Sequence, residues 1–232
     1  DVEKTDKLTW RVDTAGADTV EIRYQVYAHE LSVRTNDISH DHAFVQPGGT
    51  FLYVEGRMDE PATLRVAAPA GWRIATALEP AGEDHVFEVP DYDTLVDSPL
   101  EIGPHEVHAF EAGGVPHELA IHGEGNFDTP QLLRDVEAIC SYEVSLFGEM
   151  PCPRYLFILL LTDNKGGGLE HANSSVLAWP QIKFRPALEY RKFLTLVAHE
   201  YFHTWNVKRI KPAILLRPDY TRENYTRLLW VF

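Results

Sequence analysis

The sequence predicts an α+β fold in which an antiparallel, strand-rich first half gives way to a second half built around helices. Up to residue 122 the apolar residues alternate with polar ones at a period of two, and turn signals break the runs. After Gly123-Glu124-Gly125-Asn126 the period changes to that of a helix. The charge changes near the same place: residues 1–118 hold 8 basic and 23 acidic side chains, residues 119–232 hold 13 and 12. Two domains are therefore expected, 1–122 and 123–232.

In the first half Val20, Ile22, Tyr24 and Val26 alternate with Glu21, Arg23 and Gln25, the pattern of a half-buried strand. Shorter runs of the same kind recur at 51–54, 63–67, 86–89, 107–110 and 119–122. Pro47-Gly48-Gly49, Pro69-Ala70-Gly71, Pro80-Ala81-Gly82 and Ser98-Pro99 supply turns between them. Short strands at this spacing without helical intervals predict an antiparallel sandwich or saddle.

In the second half Leu132, Leu133, Val136, Ile139, Cys140, Val144 and Phe147 follow helical spacing. Asp128 or Thr129 can cap that helix, Pro130 suits its first turn, and Gly148 stops it. Residues 155–162 form an apolar, β-prone run expected to be a buried strand, and 170–179 reads as extended. A second helix is expected from about Pro186 to about Arg209, ended by Pro212, and a third from about Thr221 through the final residue.

With 232 residues, 44% of them hydrophobic, the chain can bury a sizeable core and is not a disordered polymer. Its net charge of −14 argues against nucleic acid as a partner, because the acidic half repels phosphate. The longest apolar run, 155–161, is far short of the roughly 20 residues of a membrane-spanning helix. Cys140 and Cys152 have no further Cys or His at zinc-finger spacing and read as a pair of reduced thiols.

The chemistry lies in His199-Glu200-Tyr201-Phe202-His203. Residues four apart on a helix share a face, so both imidazoles can meet one point and fill two positions of a tetrahedral zinc site. Glu200 can then reach water at the metal rather than the metal itself, and take its proton as it attacks a polarised carbonyl. The competing reading is two core histidines, each hydrogen-bonded to a neighbour. His40, His42, His105 and His108 read as surface or structural, since none sits at a ligand spacing of this kind. Gly166-Gly167-Gly168 lacks the Lys-Ser/Thr of a phosphate loop.

The stretch from His199 through Thr204-Trp205-Asn206-Val207-Lys208-Arg209-Ile210-Lys211-Pro212 closely resembles the signature of the M61 glycyl aminopeptidases, metallopeptidases that often carry a PDZ domain. Gly167-Gly168-Leu169-Glu170-His171-Ala172-Asn173-Ser174, Glu223-Asn224-Tyr225-Thr226 and Leu229-Trp230 match as well. So do Tyr92-Asp93, Leu95-Val96-Asp97-Ser98-Pro99 and Phe147-Gly148. The resemblance implies a β-rich amino-terminal domain followed by the first part of a thermolysin-like zinc peptidase domain, as in the similar M1 aminopeptidases. It also implies peptide substrates, a preference for glycine or other small amino-terminal residues, and one zinc ion on His199 and His203. Gly167, Gly168 and Glu170 would be an edge segment alongside the substrate, with Glu170 pairing with the free α-amino group and the glycines admitting its backbone.

The family's third zinc ligand is a Glu followed by Gly soon after Leu229-Trp230, which places it just beyond Phe232. Glu223, 20 residues after His203, is an alternative ligand by spacing, although the first turn of the third helix suits it better. Two further functions remain open from sequence: a zinc endopeptidase that has no use for Glu170, and a non-catalytic module that binds peptides by strand addition with a vestigial metal site.

Overall fold

A computed structural model describes residues 1–228. They fall into two units, one made of Asp1–Tyr27 with the chain from Lys211 onward, the other of Ala28–Ile210.

In the first unit β1 (Val2–Lys4) and β2 (Trp10–Val12) form a small antiparallel hairpin with Val2 opposite Val12. The strand expected over 20–26 is not formed. Its apolar side chains stay exposed, from 38% at Val26 to 55% at Ile22, and alternation alone does not make a strand without a ladder partner. The run at 51–54 likewise forms no strand. Residues 221–228 carry no helix, which corrects the expectation of a third helix from Thr221; its remainder, with Leu229-Trp230, lies outside the described residues. Glu223 is exposed in this irregular stretch.

The second unit begins with β3 (His29–Ser32), β4 (Thr35–Ile38), β5 (Ala43–Val45), β6 (Ala62–Arg65), β7 (Arg73–Thr76), β8 (Glu79–Pro80) and β9 (Val86–Val89). The short helix α1 (Tyr92–Val96) and β10 (Leu100–Gly103) follow. An antiparallel sheet has the order β3-β4-β5-β10-β7, and a smaller one the order β6-β9-β8. The chain continues through β11 (Glu106–Ala112), β12 (Val115–His122), α2 (Thr129–Phe147), β13 (Tyr155–Thr162), β14 (Gly167–Glu170), β15 (Ser174–Pro180) and α3 (Ala187–Phe202). Its strands make a mixed sheet of order β11-β12-β13-β15-β14, in which β12, β13 and β15 run parallel and both outer strands antiparallel. The fold is thus α+β, with mostly antiparallel sheets first. The mixed sheet runs across the division expected after His122, because β12 is hydrogen-bonded to β13.

All eight residues of β13 are buried. Tyr155, Phe157, Leu159 and Leu161 point into a core shared with α2 and α3, where Leu132, Val136, Cys140, Phe193, Val197 and Tyr201 meet them. Leu156, Ile158 and Leu160 point the other way, onto Val33, Phe44 and Ala75 of the antiparallel sheet. A strand buried on both faces reads as one continuous apolar run, which is how this one looked in the sequence.

The caps of α2 are those expected: the Asp128 carboxylate accepts from the Gln131 N–H at 2.8 Å, and Gly148 closes the helix in a left-handed conformation. The second expected helix is shorter than its sequence pattern. It ends at Phe202 and not near Arg209, since Thr204 and Trp205 bond back only three residues and Val207 takes a φ of 117°, outside any helix. Cys140 and Cys152 are both buried and unpaired with each other.

Glu143 of α2 is buried near α3, its Oε2 without a hydrogen-bond partner among the described residues, and burial pushes its carboxyl up to about 8. The folded state therefore keeps a proton that the unfolded chain releases above its ordinary carboxylate pKa. Stability contributed at low pH is lost as pH rises from there to about 8. Glu143→Gln should remove this slope and stabilise the protein at pH 8 by about 1–3 kcal/mol. Urea unfolding of both proteins at pH 5 and pH 8 checks it; equal stability changes at the two pH values would contradict it.

Candidate functional site

The site is assembled by the last turn of α3 and the edge strand β14. Phe193, Val197 and Tyr201 fix one face of α3 in the core, so His199, Glu200 and His203 leave from the neighbouring face. Tyr201 sets the rotation. His117 must donate its Nδ1–H to the Val115 carbonyl at 2.8 Å, which leaves Nε2 to accept from the Tyr201 hydroxyl, also at 2.8 Å. One hydrogen bond thus pins α3 to β12 next to His199, Glu200 and His203.

His199 Nε2 and His203 Nε2 lie 3.2 Å apart. Two nitrogens at zinc–nitrogen distance with a tetrahedral angle between them would stand about 3.3 Å apart. His203 Nδ1 lies 2.7 Å from the Asn206 carbonyl, an acceptor only, so the proton sits on Nδ1 and the Nε2 lone pair faces His199. The pair therefore fits a shared cation, and the geometry disfavours two histidines each satisfied by a separate core neighbour.

Glu200 is 4% exposed. Burial, reinforced by the nearby Glu170 charge and partly offset by Arg34, pushes its carboxyl up to about 7. One ligand-type atom from each of Glu170, Glu200 and His203 lies within 4.8 Å of the others. A Cβ on Gly168 would stand 2.0 Å from Glu200 Oε1 and 2.4 Å from its Cγ. Besides any approach of substrate, the missing side chain of Gly168 makes room for the Glu200 carboxylate. Gly167, at φ 154°, begins β14, and a Cβ there would meet nothing within 4 Å. As the last strand of its sheet, β14 has one row of backbone groups outside the ladder.

A polar clip joins these elements and was not legible in the sequence. Asp97, just after α1, accepts from His171 Nδ1 at 3.0 Å, from the Ala172 N–H at 2.8 Å and from Lys208 Nζ at 2.8 Å. Arg209 adds bonds to the carbonyls of Ala172, Thr204 and Pro151. The β14–β15 turn, which starts at Glu170, is thereby tied to the segment that follows His203. Burial works to raise the Asp97 carboxyl, but its bonds to His171 and Lys208 prevail and hold it below the usual carboxylate range. Asp97, Lys208 and Arg209 lie in stretches that resemble the family, yet no spacing rule links residues more than 100 positions apart.

A His-Glu-x-x-His helix end set against the edge strand of a mixed sheet is the arrangement of a metallopeptidase. Comparison with known proteins agrees. The family described as Peptidase M61 N-terminal domain matches residues 1–104, and M61 glycyl aminopeptidase matches residues 192–232. The chain belongs to the M61 peptidase family. It is also similar to the crystal structure of an aminopeptidase N family protein from Idiomarina loihiensis, at 35% identity and a TM-score of 0.83 over 88% of this chain. The chain spans 37% of the length of that protein's chain. None of the curated proteins matches it.

Two substitutions test this geometry in the full-length protein. Should the site be catalytic, Gly168→Ala would displace the Glu200 carboxylate and lower turnover about 10- to 100-fold. Asp97→Asn should cost about 1–3 kcal/mol at pH 7, because Lys208 and His171 lose a charged acceptor. Since the Asp97 pKa is depressed in the fold, its contribution is present above the ordinary carboxylate pKa and fades as pH falls below it. Thermal unfolding should show a larger difference between the two proteins at pH 7 than at pH 3.

Proposed function

We propose that this chain is the amino-terminal part of a zinc-dependent aminopeptidase that removes single residues, glycine and other small ones preferred, from peptides. The observation that carries the reading is the facing Nε2 pair of His199 and His203, with Glu170 and Glu200 gathered about His203. In this reading His199 and His203 hold the ion, and family resemblance supplies the third ligand as a Glu beyond Phe232. When bound, zinc supplies Lewis-acid polarisation of a carbonyl and lowers the pKa of water. Glu200 is the general base: its buried carboxylate, with an affinity for protons raised to about 7, receives a proton and later returns it to the leaving amine. Glu170 pairs with the substrate's α-ammonium group, whose positive charge relieves the repulsion between the Glu170 and Glu200 carboxylates. The unpaired edge of β14 holds substrate backbone as an added strand. The glycine preference rests on the M61 glycyl aminopeptidase likeness alone.

The catalytic part, on this reading, takes in the β11–β12 hairpin, whose strands share the sheet of β13. The β-rich amino-terminal part then ends near residue 104, where the amino-terminal family match ends, and not after His122.

The test is hydrolysis of a glycyl amide by the full-length protein, with free and with acetylated amino termini. The acetylated substrate should be spared. Glu200→Gln should lower kcat by about 10² to 10⁴ with zinc retained, and Glu170→Gln should mainly raise KM. Equal cleavage of the acetylated substrate would indicate an endopeptidase. Full turnover by the Glu200→Gln variant would overturn the proposed chemistry.

A further inference from the structure

A second group of metal-ligating side chains lies where β5, β10 and β12 come together. It shares no residue with the α3 site. Glu101 of β10 is fully buried, an unusual place for a carboxylate without a cation. Its Oε1 and Oε2 lie 3.1 and 3.3 Å from His42 Nδ1, and its Oε1 lies 3.6 Å from His122 Nδ1. One ligand atom from each of these three residues falls within 4.8 Å of the other two. Asp37 Oδ2 stands 3.3 Å from His42 Nε2 on the far side of the ring.

Two independent observations set this cluster apart from a satisfied polar network. His105 is 6% exposed, and neither of its ring nitrogens has a hydrogen-bond partner among the described residues. The register that pairs Glu106 with Ile121 places His105, one step earlier, beside His122. A further donor, itself buried, thus stands at the edge of the cluster with its hydrogen-bonding capacity unused by the described residues. Room for His42 is also specific: a Cβ on Gly103 would come within 3.2 Å of the His42 Cβ and 3.1 Å of the Asp41 carbonyl.

We propose that His42, Glu101 and His122, with His105 beside them, form a second metal site that takes a zinc-type divalent transition ion and cross-links the two large sheets. Two imidazoles and one carboxylate are a zinc ligand set with a fourth position left over, whereas calcium and magnesium call for oxygen donors throughout. Glu101 belongs to the β3-β4-β5-β10-β7 sheet, His42 lies in the turn that leads into its strand β5, and His122 ends β12 of the mixed sheet. One ion would therefore bridge the layers. The His42 and His122 rings are stacked, with centroids 3.5 Å apart and planes 12° from parallel. Their in-plane lone pairs run side by side in that pose, so binding turns at least one ring and exchanges the His42–Glu101 hydrogen bond for coordination.

The test uses the full-length protein stripped of metal and titrated with Co²⁺, whose visible bands report four-coordinate nitrogen and oxygen ligands, with zinc content measured in parallel. The double variant H199A/H203A should keep one equivalent of metal with such bands, and its melting temperature should rise when zinc is added. H122N and E101Q should each lower the metal content of the parent protein by one equivalent without removing the α3-site metal. Retention of no metal by H199A/H203A, or an unchanged metal content in both H122N and E101Q, overturns the proposal. If either set of variants fails to fold, the other decides. One equivalent in both the parent and H199A/H203A would instead keep this site and count against metal at α3, so the two readings fail separately.

Discussion

Burial of β13 on both faces is the constraint from which the rest of the larger unit follows. A strand with Phe157 and Leu159 on one side and Ile158 and Leu160 on the other has to be covered twice. The helices α2 and α3 cover one face and the antiparallel sheet covers the other. This packing delivers α3 to the mixed sheet with its apolar stripe inward, so the residues between the stripe positions, His199, Glu200 and His203, are carried to the β14 side. Their chemistry is thus placed by the hydrophobic core, and the polar contacts adjust only the final orientation.

That adjustment is made at three points. Tyr201 against His117 fixes how α3 is rotated, Asn206 fixes the His203 tautomer, and Asp97 with Lys208 and Arg209 fixes where β14 ends relative to α3. None of these residues needs to touch a substrate. On the proposed reading, each removes a freedom that a reacting group would otherwise have to lose when substrate arrives, which is the physical content of preorganisation.

Much of this was legible in the sequence because it rests on local period and spacing. The α2 helix with both caps, the buried β13 run and the His-Glu-x-x-His face are all short-range patterns. The failures have one cause as well. The alternation at 20–26 and the apolar positions continuing past Phe202 are correct periods without the partner or the backbone geometry that would use them. Val207 at positive φ and the Asn206 carbonyl turned toward His203 end α3 in a way no helix-stop rule anticipates. The likeness reads Gly168 as admitting substrate backbone; within the fold, the neighbour it admits comes from α3, 32 residues later. His42 and His105 looked like ordinary histidines because their neighbours, Glu101 and His122, arrive through strand pairing that spacing does not encode.

The shortness of β14 has a consequence for what such a surface can hold. Four residues at about 3.3 Å each give an edge of roughly 13 Å, room for about three or four residues of an added strand. Glu170 stands at one end of it, so a chain anchored there by its amino group would be gripped for only its first few residues. Everything further along would project away unsupported. A peptidase with that edge would act as a short ruler, measuring from the terminus and indifferent to the length or fold of what trails behind.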